Sequence, residues 1–377
     1  MAYAEKEAKK LDVYVNNYDY GDAVYIALNI KCGFCYRYIH YDGENRIKEL
    51  NLACANVFCN YITLFIKKKF FKVIKINITQ NVITMALRSN VKKFAEDIKM
   101  IYQALFDSEF EDELFTKALA TSIKNFKKNY NDIEFRGLYH MLEFTESGKG
   151  FAFGKLTDDF LKLDNKIFTE YWESLIIPGN SILLVSGNVE DVSALTHLST
   201  NRLMNHNAVP RFASKVKNTT LQSDKKLTLN LTSKYELGAM KFYFINEQVT
   251  MEEKYFFLNI LGERLFSKCN IHIDYFDTSI IYHGEIKKYK ENIVSFIETD
   301  KVELSAQKLL RLLAFWQKDY PIGFHFFWGA LVAENINLNT YIDLLSACTS
   351  QQLVEIYTKS NMMITEAQIT CLNKTRR

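Results

Sequence analysis

Residues 156–195 read LTDDFLKLDNKIFTEYWESLIIPGNSILLVSGNVEDVSAL, and the interpretation of the whole chain turns on them. Thr157 is a residue type that caps a helix, and Asp158 and Asp159 would sit in the positive first turn. Phe160, Leu163, Ile167, Phe168, Tyr171, Trp172 and Leu175 then fall on one helical face. Pro178 and Gly179 end that helix, and Ser181 to Ser186 is an apolar run of strand length. Gly187 turns the chain, and Asn188, Glu190 and Asp191 open another helix.

A weaker copy lies near the C-terminus. Ser350 to Lys359 spaces Leu353, Ile356 and Tyr357 along one helical side, Ser360 and Asn361 form a turn, and Met362 to Thr365 is a short apolar strand. Asn180 and Asn361 stand about half the length of the 377-residue chain apart. This spacing predicts a two-fold internal repeat.

The rest of the chain fits two such halves. Val24, Ile26, Leu28 and Ile30 alternate with Tyr25, Ala27 and Asn29, the pattern of a half-buried strand. Asn45 to Ile66 reads as a helix. Lys72 to Ile78 and Val82 to Arg88 read as strands around a turn at Gln80-Asn81. Ser89 or Asn90 caps the next helix, and further helices are expected over about 110–128 and 132–144. Residues 205–224 lose periodicity and gain Asn, Ser, Thr and Lys. Domains are therefore expected at 1–206 and 225–377, joined by a linker over 207–224. In the second, Lys226 to Thr232 and Met240 to Ile245 read as strands, and Thr250-Met251-Glu252-Glu253 is a capping box opening a helix to about Ser267. Strands are expected between about 271 and 299, then helices over about 302–317 and 323–334. Strands first, then several helices, then a closing helix and strand is an α+β order. It implies mostly antiparallel or mixed sheets with helices on one face.

Composition narrows the function. Hydrophobic residues make up 48% and aromatics 14%, enough for a sizeable core. A net charge of +3, from 47 basic and 44 acidic side chains, gives no electrostatic case for nucleic acid. Lys67-Lys68-Lys69 reads as a solvated tip between apolar segments, with a basic contact patch as the alternative. The polar N-terminal stretch and the absence of a long apolar run imply a cytoplasmic protein without membrane insertion. Seven cysteines fit reduced thiols. Cys32-x-x-Cys35 and Cys54 with Cys59 superficially suggest a thiolate zinc site. Cys54 and Cys59 would diverge by about 140° on a helix, so buried free thiols are the preferred reading.

The block Leu156-Thr157-x-x-x-Phe160, Tyr171, Pro178-Gly179-Asn180, Ile182 to Val185 and Gly187-Asn188-Val189 resembles a segment of the insulinase/pitrilysin metallopeptidases, the inverzincins. The similarity is to short, half-shell members related to processing peptidases. It implies two similar α+β domains, with two subunits closing around an unfolded peptide. It also implies zinc held by H-x-x-E-H on a helix plus a downstream Glu. The family's layout puts that motif near Ile47 to Cys54, which reads IKELNLAC and contains no His. The downstream Glu would belong near Thr121 to Asn125, TSIKN, which has no carboxylate. His140-x-x-Glu143 is a partial match, but Phe144 stands where the second His should be. No catalytic or metal-binding residue is therefore expected in this chain.

In paired members, the silent subunit lends an Arg and a Tyr seven residues apart to the substrate. Lys268 and Tyr275 are the nearest match and are the expected substrate-binding residues, with Arg264 a second source of the cation. The expected function is a non-catalytic subunit of a heterodimeric zinc metallopeptidase, similar to the silent member of subtilosin-type bacteriocin-processing pairs. It would complete the chamber and position a bacteriocin or other peptide precursor for a homologous partner carrying H-x-x-E-H and the zinc. Two alternatives stand beside it: an active zinc peptidase built on His140 and Glu143, and a peptide-binding scaffold with no peptidase partner.

Overall fold

A computed structural model describes residues 11–33, 38–40, 47–79, 82–130, 153–189, 211–212, 225–229, 236–246, 248–265, 269–273, 278–283, 289–299 and 301–371. The expected helix over 132–144, the helix after Asn188 and all of the linker except Arg211 and Phe212 lie outside these residues.

The first half runs β1 (Asp12–Asn16), β2 (Ala23–Ile30), β3 (Tyr38–His40), β4 (Ile47–Glu49), α1 (Ala53–Phe70), β5 (Lys75–Ile78) and β6 (Ile83–Asn90). It continues with α2 (Phe94–Tyr102), a π-helical turn (Gln103–Asp107), α3 (Asp112–Tyr130), α4 (Phe153–Lys162), α5 (Asn165–Leu175) and β7 (Ser181–Ser186). After β8 (Arg211–Phe212), the second half runs β9 (Lys225–Leu229), β10 (Glu236–Tyr243), α6 (Met251–Leu265), β11 (Cys269–Ile273) and β12 (Thr278–His283). Then come α7 (Tyr289–Ile297), α8 (Lys301–Asp319), α9 (Pro321–Ala333), α10 (Leu338–Ser346), α11 (Ser350–Ser360) and β13 (Met363–Cys371).

The two main sheets carry the repeat. The first is ordered β1-β7-β2-β6-β5 and the second β9-β13-β10-β12-β11. In each, the first strand lies parallel to the last, and every other pairing is antiparallel. The Asn180 and Asn361 turns anchor the same closing strand. In one unit the Lys31 N–H donates to the Asn180 carbonyl (3.1 Å); in the other the Asn246 N–H donates to the Ser360 carbonyl (3.1 Å). Fold class and internal repeat therefore hold.

The chain groups into two compact units. One takes residues 1–125, 156–214 and 316–333; the other takes 126–155, 215–315 and 334–377. Helix α9 thus belongs by its contacts to the first unit, where it packs on β2, β6 and β7. Gly329 makes this possible: a Cβ there would lie 1.9 Å from Asn29 Oδ1. The Asn29 side chain is buried, accepting from Thr84 Oγ1 (2.6 Å) and donating to the Ile182 carbonyl (3.4 Å). Strand β2 is therefore covered on both faces, not half-buried as its alternation suggested: Asn29 meets α9, while Leu28 and Ile30 point to the opposite side.

Four local expectations change. The helix expected over Asn45–Ile66 begins only at Ala53, because Ile47–Glu49 pairs with β3 as a strand, and it runs on through the lysines to Phe70. The single helix expected from Thr157 is two. The Asp164 carboxylate accepts from the Ile167 N–H (2.8 Å) and starts α5 afresh, while α4 is already under way at Phe153, so Thr157 is no cap. The strand region expected to about 299 ends in helix α7. Asp319-Tyr320-Pro321, which the sequence reads as the stop of the helix over 302–317, does end α8, but Pro321 also occupies the first turn of α9, where its missing N–H costs nothing.

Candidate functional site

The resemblance directs attention to the start of α1 and to α3. An H-x-x-E-H motif needs two imidazoles four residues apart on one helix face. Here Ile47–Glu49 is strand β4, Leu50 to Leu52 turn the chain, and only Ala53 and Cys54 are helical. The local backbone is wrong for the motif as well as the residue types.

This end of α1 is instead held by the organising stretch. The Leu52 N–H donates to Asp159 Oδ2 (2.8 Å), and Asn51 Nδ2 donates to the Asp159 carbonyl (2.8 Å). Asn51 Oδ1 also accepts from the Ala53 N–H (2.9 Å). Asp159 is buried on α4, and its carboxyl group lies at the N-terminal end of α1, where the helix dipole favours an acidic side chain. Further along the same stretch, the Tyr171 hydroxyl donates to the Cys32 carbonyl (3.1 Å) and the Trp172 indole N–H to the Leu105 carbonyl (2.8 Å). Asn180 Nδ2 donates to the carbonyls of Lys31 (3.1 Å) and Leu175 (2.9 Å). The residues carrying the resemblance form an interlock that closes carbonyls at the end of β2, in the π turn and at the end of α5.

The seam between α1 and α3 is closed by neutral groups. Asn60 Nδ2 donates to Ser122 Oγ (2.7 Å) and, more weakly, to the Asn56 carbonyl (3.3 Å). The buried Ser122 hydroxyl donates to the Ala118 carbonyl (2.8 Å), with the Asn56 carbonyl at 3.4 Å. Ser122 lies in the TSIKN stretch, so a hydroxyl bonded to the Asn60 amide of α1 stands on the helix where the resemblance would put the third ligand. These groups satisfy one another and offer neither imidazole nor carboxylate, so the seam does not fit zinc. Among the described residues no group of three or more His, Cys, Asp or Glu is placed to hold a metal ion.

The thiols are poor ligands and nucleophiles as they stand. Among the described residues, Cys32, Cys54, Cys59 and Cys348 are not in disulfides. Burial pushes the Cys32 thiol up to about 12 and Cys348 up to about 11, and raises Cys59 further. Cys35 lies outside the described residues. So do Lys268, Tyr275, His140 and Glu143, leaving both the expected substrate contacts and the partial metal motif without a described geometry. Arg264 is described, on the last turn of α6, and its buried Nε has no hydrogen-bond partner.

Two surfaces of the first unit can receive a ligand. One is an open cleft of about 640 Å³ between the end of α1 and the π turn, lined by Phe65, Phe70 and Phe110 with Lys69, Asp107 and Glu111. The other is the edge of the sheet at β5, beside α1. An edge strand presents an unpaired row of backbone donors and acceptors. Sequence reasoning placed Asp159 in the first turn of its own helix and missed its contact with the start of α1, and it missed the Asn60–Ser122 pair. Their partners are too distant along the chain for any local signal.

No known family's sequence pattern matches the chain, and no curated protein matches it by sequence. Solved structures do match in fold. An M16-like peptidase of Alicyclobacillus acidocaldarius superposes with a TM-score of 0.66 at 10% identity, covering 96% of each chain. A protease of Helicobacter pylori gives 0.67 at 11% identity, covering 96% of this chain and 97% of its own. A peptidase M16 inactive domain of Pseudomonas fluorescens gives 0.64 at 10% identity, covering 98% of each. The chain has the M16 peptidase fold along nearly its whole length. No described helix is long and apolar enough to cross a membrane.

Proposed function

We propose that this chain is the non-catalytic subunit of a heterodimeric zinc metallopeptidase. It completes the chamber and positions a peptide, such as a bacteriocin precursor, for a homologous partner carrying H-x-x-E-H and the zinc. The observation that carries the reading is the α1–α3 seam. There the fold's metal-binding region is built from a strand, a turn and an Asn60–Ser122 hydrogen bond. The fold is otherwise intact, and a resolved inactive domain of the same fold supports a non-catalytic role. Peptide would add as a strand on the free edge of β5, main chain to main chain, which suits an unfolded precursor. Lys268 and Tyr275 are proposed to hold the substrate near the scissile bond, the phenol donating to the carbonyl oxygen as charge develops.

The test is reconstitution. The full chain is mixed with an H-x-x-E-H subunit encoded beside it, and peptide hydrolysis is followed. Neither chain alone should cleave efficiently, and the mixture should. Tyr275→Phe should lower kcat of the mixture about tenfold or more while leaving assembly intact. A partner equally active alone would end the complementing role. Hydrolysis by this chain alone, abolished by Glu143→Gln, would favour the atypical-site peptidase.

A further inference from the structure

Helix α1 ends in Lys67-Lys68-Lys69-Phe70, and Phe71, Lys72, Val73, Ile74 and Lys75 follow into β5. Phe71 closes the helix in the left-handed region, at φ 54° and ψ 29°. Gly or Asn is the usual choice there, and a bulky side chain at positive φ is strained. The ring gains nothing from the fold in return, for Phe71 is 90% exposed and Val73 is 82% exposed. A strained, fully solvated phenylalanine is kept at the tip of a helix although a glycine would relieve the strain. Such a feature points to a use outside the fold.

The surroundings say which use. Lys68 and Lys69 reach Glu111 at 2.6 and 3.1 Å, and Lys72 reaches the buried Asp97 at 3.0 Å. Lys67 and Lys75 are exposed and make no ion pair among the described residues. Lys67 and Lys75 thus give the tip two cations outside those pairs, beside two apolar side chains, while Asp107, Glu109 and Glu111 share a cleft with Lys69. We propose that this tip docks on the surface of an anionic lipid bilayer. Phe71 and Val73 would enter the boundary between headgroups and acyl chains, and the lysines would lie against lipid phosphates. A basic ring around a single apolar point gives reversible attachment without a spanning helix. A bilayer fits better than an acidic protein, because a protein hot spot needs a packed pocket, whereas Phe71 and Val73 project outward from a turn. The inference goes beyond the peptidase-subunit reading and stands independently of it.

The test uses the full chain with vesicles of phosphatidylcholine alone and of phosphatidylcholine mixed with phosphatidylglycerol. The chain should sediment with the mixed vesicles only, and less as salt rises. Phe71→Gly should lower partitioning about tenfold while raising the unfolding temperature, because it removes the strained φ. Binding and folding then move in opposite directions, which a merely destabilised variant would not show. The pair Lys67→Glu with Lys75→Glu should weaken binding by a similar factor at unchanged stability. Failure to bind either vesicle would overturn the proposal. So would Phe71→Gly binding as well as the native chain, which would mark a charge-only contact such as an acidic protein makes.

Discussion

Helices α1 and α6 occupy the same place in two units of identical strand order, yet each is started differently. In α6 the start is self-contained: the Glu253 N–H donates to Thr250 Oγ1 (3.1 Å), and the Thr250 N–H donates back to Glu253 Oε2 (2.8 Å). In α1 Asn51 Oδ1 takes the Ala53 N–H locally (2.9 Å), but the Leu52 N–H is taken by Asp159, distant in sequence and carried on α4. The second unit caps its helix with neighbouring residues alone; the first adds a buried carboxylate from the organising stretch. This difference between the copies falls at the start of α1, next to the stretch where the resemblance would place a metal motif. In this chain that place does the work of holding helices together.

The largest effect should come from the helix that covers the first sheet's second face. Gly329→Val would drive a side chain into Asn29 and lift α9, at a cost of about 3 kcal/mol or more. Urea unfolding would report the loss. Hydrogen exchange should show β2 and β6 loosened with β10 and β13 unchanged, and equal loosening of both sheets would contradict the assignment of α9 to the first unit.

Acid should act through the same helix. The His325 Nδ1–H donates to the Pro321 carbonyl (2.7 Å), and the buried Nε2 has no hydrogen-bond partner. Burial lowers its pKa from 6.5 to about 4. Its described neighbours are the rings of Tyr25, Phe324 and Trp328, which offer no carboxylate to favour the charged form. The unfolded chain takes up this proton below about pH 6.5 and the folded chain only near pH 4. The contribution of neutral His325 is thus complete above pH 6.5 and is lost as pH falls to about 4, on the order of 3 kcal/mol in all. His325→Gln should flatten that part of the stability–pH curve, and an unchanged slope would show that the imidazole is not the group responsible.

The two caps can be set against each other directly. Asp159→Ala leaves the Leu52 N–H unpaired in a buried place and should cost about 2 kcal/mol, with protection lost from the α1 amides. Thr250→Ala removes an exposed cap and should cost about 1 kcal/mol. Equal costs would mean that the long-range cap is no more buried in effect than the local one. Asn60→Ala should cost the same, about 1 kcal/mol, by breaking the pair with Ser122.

The same contrast explains how much of the fold was legible. The Thr250–Glu253 box, the alternation in β2 and the apolar run of β7 are local signals, and each became the element it announced. Strand β4 reads in sequence as part of a helix, and β3 is not read at all: Ile47–Glu49 pairs with Tyr38–His40, and that short hairpin is backed by β8 far along the chain, Ile39 pairing with Phe212 and His40 with Arg211. Nothing near Ile47 signals that ladder. The break between α4 and α5 was hidden because Phe160, Leu163, Ile167 and Phe168 keep one helical spacing across it, and only the Asp164 cap separates them. At the site, missing imidazoles and carboxylates could be read from residue types alone. What replaced them could not, since Asn60 and Ser122 meet only through the packing of α1 on α3.

The α1–α3 seam is closed by hydrogen bonds, and its described residues offer no ligand set for zinc. Zinc content of the purified full chain, equilibrated with zinc and then dialysed against a weak chelator, tests this most directly. The account predicts far less than one zinc per chain and an unfolding temperature indifferent to zinc. One zinc per chain, retained through dialysis and raising that temperature, would contradict it.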